Sequence, residues 1–244
     1  GDGRSYDGVC TLCGWQGGFH RVRPVNQVAR DMACGGCSSP LIFRDEAAVI
    51  LDELGRGTLD TLDDLVRSPA FAATSIYHVG TAGPVRRRLS SVDDYHESAL
   101  RPDLPLGAPI GRRTSRCTNQ DHQRLTFPSD RFDLLFSSHV LEHVPDPRAA
   151  LAEAHRVLRP GGRYIFTVPR AGGAATSVRR AELIDGEVVH LEEPQYHNSP
   201  EGEPALVFTG FGRDVLDLLE DVGFVASMRR PHRSIPDARN HAVI

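Results

Sequence analysis

The sequence predicts an α/β protein, built on an open and mostly parallel sheet with a small cysteine ribbon in front of it. Three observations carry this. The run RFDLLFSSHVLEHVPDPRAALAEAHRVLRPGGRYIFTVP, from Arg131 to Pro169, reads as strand, loop, helix, turn and strand, which is one crossover of a parallel sheet. SIYHVGTAGPVRRRL, from Ser75, reads as a shorter strand that passes through a glycine-bearing turn into a helix. Four of the five cysteines stand as Cys10-x-x-Cys13 and Cys34-x-x-Cys37, ahead of every other patterned segment.

Residues 1–44 form the ribbon. Two knuckles that each present two thiolates suit a tetrahedral ion, and Gly14, Gly35 and Gly36 suit tight knuckle turns. With four protein ligands such a site is closed, so structural zinc on Cys10, Cys13, Cys34 and Cys37 is expected, rather than disulfides or catalysis. Residues 45–70 are expected to connect ribbon and sheet through two helices. DEAAVILDEL from Asp45 and TLDDLV after it place apolar residues at helical spacing; Gly55-Arg56-Gly57 separates them, Thr58 or Asp60 caps the second and Ser68-Pro69 ends it.

Residues 71–244 form the main domain. Phe132 to Ser138 are an apolar run of strand length, and Pro147 sits where a first helical turn tolerates its missing N–H. Ala149, Ala150, Leu151, Ala154, Val157 and Leu158 recur at helical spacing, and Pro160-Gly161-Gly162 stops that helix before a strand over Tyr164 to Val168. Cys117 falls on or just after the third strand and reads as a buried core thiol. Residues 169–204 read as a long polar, irregular insertion of the kind that serves as a lid. Gly212 to Asp221 then read as an amphipathic helix, Phe224 to Met228 as a strand and His241 to Ile244 as an antiparallel edge strand.

The chain has 244 residues, 40% of them hydrophobic, and a formal net charge of −4. These are the proportions of a globular protein, with no charge excess for nucleic acid, which is not expected as a partner. Arg86-Arg87-Arg88 and Arg229-Arg230 read as solvated or phosphate-facing helix ends. No apolar stretch approaches the roughly 20 residues of a membrane span, and no signal peptide is visible, so a cytoplasmic protein without membrane partners is expected. The first residues, beginning at Gly1, are given no functional weight. The sequence leaves the oligomeric state open.

The Arg131–Pro169 run resembles the second half of class I S-adenosylmethionine-dependent methyltransferases, of the type 11-like kind, whose pattern is FD, strand, LEHV, PxxxLxExxRVLxPGG, strand. The resemblance extends from about Ser75 to the C-terminus and implies a Rossmann-like, seven-stranded, mostly parallel sheet. It implies S-adenosylmethionine as cofactor beside His78, Gly80, Thr81 and Gly83, where His78, Ala82 and Pro84 replace an acid and two glycines of the family pattern. Glu97 is the candidate for the acid that bonds the ribose, unless a register two residues later places Ala99 there. Asp121 matches the acid that receives the adenine amino group, and Ser138 and His139 become neighbours of the cofactor.

On the same resemblance Glu142 and His143 face the substrate. An unperturbed histidine, with a pKa near 6.5, suits the removal of a proton, so His143 reads either as that base or as a ring that bonds a loop carbonyl, and His197 approaches the same substrate from the lid together with His190 and Tyr196. His139-Val-Leu-Glu-His143 also spells an inverted zinc-peptidase motif, but it falls at a strand end and not on the helix that motif requires. Two functions stand at this point. One is methyl transfer to an O or N nucleophile of a small molecule such as a natural product or sugar. The other is a methyltransferase fold that has left methyl transfer and uses the cleft for other histidine-assisted chemistry or for binding.

Overall fold

The computed structural model of the protein describes residues 5–20, 32–55, 57, 59–111, 116–169, 174–198, 204–229 and 243–244. The ribbon consists of β1 (Ser5–Val9) and β2 (Gln16–His20), paired antiparallel. It is followed by α1 (Leu41–Leu54), α2 (Leu62–Arg67) and α3 (Pro69–Ala72). The main domain then runs β3 (Ile76–Val79), α4 (Pro84–Leu89), β4 (Tyr95–Ala99), β5 (Cys117–Asn119), β6 (Phe132–Ser138), α5 (Pro147–Val157) and β7 (Leu158–Thr167).

These five strands form one parallel sheet in the order β5-β4-β3-β6-β7. The chain builds outward from β3 in one direction and then crosses back to build from β6 in the other. The carboxyl ends of β3 and β6 therefore flank the point where strand order reverses, which is where open α/β sheets bind ligands. Val79 pairs with Ser137, so the turn after β3 and the turn after β6 leave the sheet at the same level. The sheet's sixth and seventh places are marked by single antiparallel bridges, Val243 to Thr167 and Val243 to Arg229. Phe224 to Met228, expected as a strand, form none; Phe224, Ala226 and Met228 pack against the core around α6 (Val215–Asp221) while Val225 faces solvent. His241 and Ala242 lie outside the described residues, as does Arg230 of the second arginine pair.

The expected elements form with shifted edges. Helix α1 starts at Leu41, four residues before Asp45, and α2 is capped by neither Asp60 nor Thr58, the latter lying outside the described residues. Its cap is Thr61, whose hydroxyl accepts from the Asp64 N–H at 3.0 Å. The helix α5 stops at Val157, and β7 already begins at Leu158, so Pro160-Gly161-Gly162 lie inside a strand whose register slips between Phe132 and Leu134.

The ribbon is no separate lobe. Cys10, Leu12, Phe19, Met32 and Cys34 share one buried cluster with α1, α2 and the sheet residues Ile76, Leu134, Phe136 and Ile165. The Leu62 and Asp63 amides donate to the Thr11 and Leu12 carbonyls, and Arg88 of α4 donates to the Leu12 carbonyl and pairs with Asp63 at 2.9 Å. Arg86 and Arg88 are thus structural cations.

The insertion is more ordered than its composition suggests. Its described residues and the stretch just after it hold β8 (Val178–Arg179), β9 (Ala181–Ile184), β10 (Glu187–His190), β11 (Tyr196–Asn198), β12 (Pro204–Leu206) and β13 (Thr209–Gly210), arranged as three short antiparallel ribbons. Asp185-Gly186, both at positive φ, close the β9–β10 hairpin as a two-residue turn.

Candidate functional site

Gly80 and Gly83 form the turn between β3 and α4 with φ of 117° and 104°. A Cβ placed on Gly80 would meet only the His78 ring, no nearer than 3.9 Å, so the space above this turn is open to a ligand. His78 itself is buried. Its ring stacks on Phe136 with centroids 5.3 Å apart, and Nδ1 lies 3.1 Å from the Tyr95 hydroxyl. Tyr95 donates onward to Glu97 Oε2 at 3.0 Å, and Arg86 grips the same carboxylate with two N–H donors at 2.7 and 2.6 Å. Since the tyrosine proton goes to Glu97, the histidine must donate to the tyrosine oxygen. Burial lowers the His78 pKa to about 4, with Arg86 adding to the shift and Glu97 opposing it, so the ring is neutral. A chain His78–Tyr95–Glu97–Arg86 therefore occupies the place of the family's acid.

Glu97 is not at the strand end. It sits two residues inside β4, opposite His78 in register, and Ala99 closes the strand. Asp121 follows β5 in a tight turn, where Oδ1 accepts from the Gln123 backbone and side-chain N–H groups. The neighbouring His122 is buried.

One acid in this region escaped the sequence reading. Glu46 of α1 is fully buried beside the ends of β6 and β7, where Ser138 and Thr167 donate to Oε1 at 2.6 and 3.0 Å. Its Oε2 has no partner. Burial, only partly opposed by these two hydroxyls, raises its pKa to about 8. The signal was present: Glu46 lies four residues after Ile42 and four before Ile50, on an otherwise apolar stripe.

After β6 the chain turns through His139, at φ of 54°, into a 3₁₀ turn, Leu141–His143. This turn buries Glu142 to 1% exposure. Three imidazoles converge on Glu142 Oε1: His139 Nδ1 at 3.3 Å, His143 Nε2 at 3.7 Å and His197 Nδ1 at 3.6 Å. Neither carboxylate oxygen has an aligned hydrogen bond. Burial pushes the carboxyl pKa up, but the surrounding histidines outweigh it and hold the value at about 2. His143 Nδ1 lies 2.8 Å from the Leu206 carbonyl, which only accepts, so Nδ1 carries the proton and a neutral ring keeps its lone pair on Nε2. His197 comes from β11, and its ring meets that of His143 edge to face at 5.1 Å. The Phe208 amide donates to the Glu142 carbonyl at 2.8 Å and fastens the insertion to the turn.

The structure thus brings Glu142, His143 and His197 together beside His139 and Ser138. It does not bring in the other two residues expected at the substrate: His190 is exposed on the β9–β10 hairpin, and Tyr196 is 54% exposed. A groove of about 690 Å³ lies along β7 near Arg159 to Tyr164 and Gly223 to Ser227, away from this cluster and from the Gly80 turn.

In the ribbon, Cys10 and Cys37 Sγ lie 3.8 Å apart, as do Cys13 and Cys34 Sγ. All four sulfurs lie within 4.8 Å of one another. Thiolates at about 2.3 Å from a tetrahedral ion stand about 3.8 Å apart, so the donor set fits zinc. Cys117 is buried on β5, as expected of a core thiol.

A parallel sheet in this order, with an open glycine turn at its switch point and a polar cluster at the next strand end, defines the Rossmann-like class I methyltransferase fold. Residues 103–166 match the methyltransferase domain family. An uncharacterized 37.1 kDa protein in transposon TN4556 of Streptomyces fradiae is 47% identical over 115 residues, 47% of this chain and 30% of that protein. The 27-O-demethylrifamycin SV methyltransferase of Amycolatopsis mediterranei is 36% identical over 84 residues, covering 32% of this chain and 31% of the enzyme. The malonyl-[acyl-carrier protein] O-methyltransferase of Laribacter hongkongensis is 30% identical over 186 residues, covering 71% of this chain and 61% of the enzyme. Residues 103–166 are thus a methyltransferase domain segment, set in the Rossmann-like fold of the class I S-adenosylmethionine-dependent methyltransferases. The chain spans less than two thirds of the length of these relatives. No helix among the described residues is long and apolar enough to cross a membrane.

Proposed function

We propose that the protein transfers a methyl group from S-adenosylmethionine to an O or N nucleophile of a small molecule, of the natural-product or sugar kind. The observation that carries this reading is the open Gly80 turn at the level of Ser138, with the Glu142–His143–His197 cluster one turn further along the chain from β6. The orphaned Oε2 of Glu46, buried at the same strand ends, is a further polar atom that a ligand would satisfy. The Laribacter hongkongensis relative is by name an O-methyltransferase, which favours an oxygen nucleophile.

Gly80, Thr81, Gly83, Asp121, Ser138 and His139 would hold the cofactor in this reading. His78 and Glu97 are committed to Tyr95 and Arg86, and act by holding the turn. When bound, the cofactor supplies an electrophilic methyl group: the nucleophile's electron pair forms the new bond to carbon as the carbon–sulfur pair returns to sulfur. The protein's own work is to orient the nucleophile and to help remove its proton. His143 Nε2 and His197 Nδ1, the first on the rigid turn and the second on the insertion, face the acceptor. Glu142 fixes both. In the ribbon, Cys10, Cys13, Cys34 and Cys37 would hold one structural zinc that ties β1 and β2 to α2.

A second reading, a methyltransferase fold without methyl transfer, is favoured by one observation: β4 ends in Ala99, while the nearest carboxylate is held by Arg86. Calorimetric titration with S-adenosylmethionine separates the two. The first reading predicts one cofactor per chain, and a loss of about tenfold in affinity for Asp121→Ala, equivalent to about 1.4 kcal/mol. Absence of binding by the wild-type protein at millimolar cofactor would establish the second reading instead.

A further inference from the structure

Glu142 presents an unusual arrangement of charge. Its carboxyl group has 1% exposure, yet neither of its oxygens has an aligned hydrogen bond. A buried carboxylate in that state is costly unless a cation or a set of donors compensates it. The groups around it are imidazole nitrogens. For His143 the Leu206 carbonyl takes the proton on Nδ1, and Nε2 is turned toward Glu142. His143 Nε2 faces Glu142 Oε1 at 3.7 Å, His197 Nδ1 stands 3.6 Å and His139 Nδ1 3.3 Å from the same oxygen, and neither His197 Nδ1 nor His139 Nδ1 has an aligned hydrogen-bond partner.

The separations discriminate between a hydrogen bond and a shared ion. Charge-assisted N–H···O bonds close to about 2.7–2.9 Å. Ligand atoms held about 2.1 Å from a tetrahedral ion stand about 3.4 Å apart, close to the 3.6 and 3.7 Å observed. All three donor atoms lie within 4.8 Å of one another. The bond from His143 Nδ1–H to a backbone carbonyl is also the outer bond that orients a metal-ligating histidine and raises its basicity. The imidazoles of His143 and His197 keep 21% and 24% side-chain exposure, so the site is reachable from the cleft while its carboxylate stays dry.

We propose that Glu142 Oε1, His143 Nε2 and His197 Nδ1 form a second metal site, distinct from the cysteine ribbon, for a divalent cation of the zinc or cobalt type. Three protein ligands leave a fourth position open, as in sites that bind a water or a substrate rather than closed structural ones. Resting on the methyl-transfer reading, that position holds the acceptor's hydroxyl. Coordination lowers the pKa of the hydroxyl, and its proton leaves to water, so that an alkoxide oxygen faces the cofactor side of the cleft. The two histidines then act as ligands, and His197 couples closure of the insertion to completion of the site.

The test is metal content of the full chain after reconstitution with Zn2+ and, separately, with Co2+. Wild type is expected to bind two ions, and Glu142→Gln and His197→Ala one each, with the cysteine ribbon still loaded. In the cobalt-loaded protein, the thiolate charge-transfer absorption of the ribbon should persist in both variants, while the visible bands of a nitrogen–oxygen site disappear. Should Glu142→Gln unfold and release both ions, His197→Ala, whose side chain lies on the insertion, still decides the question. One ion in wild type, or two in His197→Ala, overturns the proposal. Titration of the same samples with S-adenosylmethionine separates the failures: cofactor binding with a single ion overturns the metal site alone, and two ions without cofactor binding overturn the methyl-transfer reading alone.

Discussion

At the scale of single residues, the most informative groups are polar side chains buried where the sheet presents its ligand edge. Glu46 is held protonated up to about pH 8 by burial, although Ser138 and Thr167 both favour its charged form. Between its ordinary value of 4.5 and about 8 the folded carboxyl keeps a proton that the unfolded one has lost. The stability this supplies is complete below pH 4.5 and disappears as pH rises toward 8. Glu46→Gln should therefore remove a decline of up to about 1.4 kcal/mol per pH unit from the stability curve between pH 5 and 8. Denaturant unfolding of both proteins across that range checks it; parallel curves would show that Glu46 titrates normally. His78 and His122, neutral because burial lowers both to about 4, act oppositely, losing stability on acidification between pH 6.5 and 4, and cancel in the comparison. His143 and Glu142 were legible as candidates because they stand in a recognisable LEH turn. Glu46 left a signal on the apolar stripe of α1 that went unread, whereas the roles of Arg86 and Tyr95 come from packing of α4 and β4 against neighbouring strands, which periodicity does not encode.

At the scale of elements, the patterns that were read correctly are those with a local physical cause. The Phe132–Ser138 strand, the helix opened by Pro147 and the cysteine knuckles each carry their own signal over a few residues. Gly35 and Gly36 are required for a reason beyond the turn, because a Cβ on either would come within 2.6 or 2.8 Å of Trp15. The insertion was misread as irregular because prolines and charges dominate its composition. The Asp185-Gly186 turn flanked by Leu183-Ile184 and Val188-Val189 was a hairpin signal in plain view. The zinc proposed for the ribbon gives this element a testable property. Cys34→Ser should lose the ribbon's zinc and lower the melting temperature, since the Thr11 and Leu12 carbonyls that receive α2 belong to the first knuckle. Zinc retained by Cys34→Ser, with an unchanged melting curve, would refute a four-cysteine site.

At the scale of the whole molecule, the strand order brings two kinds of loop to one edge of one sheet. The turns after β3 and β5 carry Gly80 and Asp121, β4 ends in Ala99, and the turn after β6 carries His139, Glu142 and His143, with His197 folded over from the insertion. Cofactor and acceptor groups can share a cleft because Val79 and Ser137 are in register. The sheet class was legible from a single crossover, whereas the convergence of His197 on Glu142 needed the three-dimensional path of the insertion. The central claim is that S-adenosylmethionine lies over Gly80 with its sulfur directed toward the Glu142–His143–His197 cluster. The crystal structure of the full chain soaked with S-adenosylhomocysteine tests it most directly. The account predicts density over the Gly80–Gly83 turn, the adenine at Asp121 and the thioether sulfur facing His143 and His197. Density in the groove along β7, or a ligand whose sulfur points away from the histidine cluster, would contradict it.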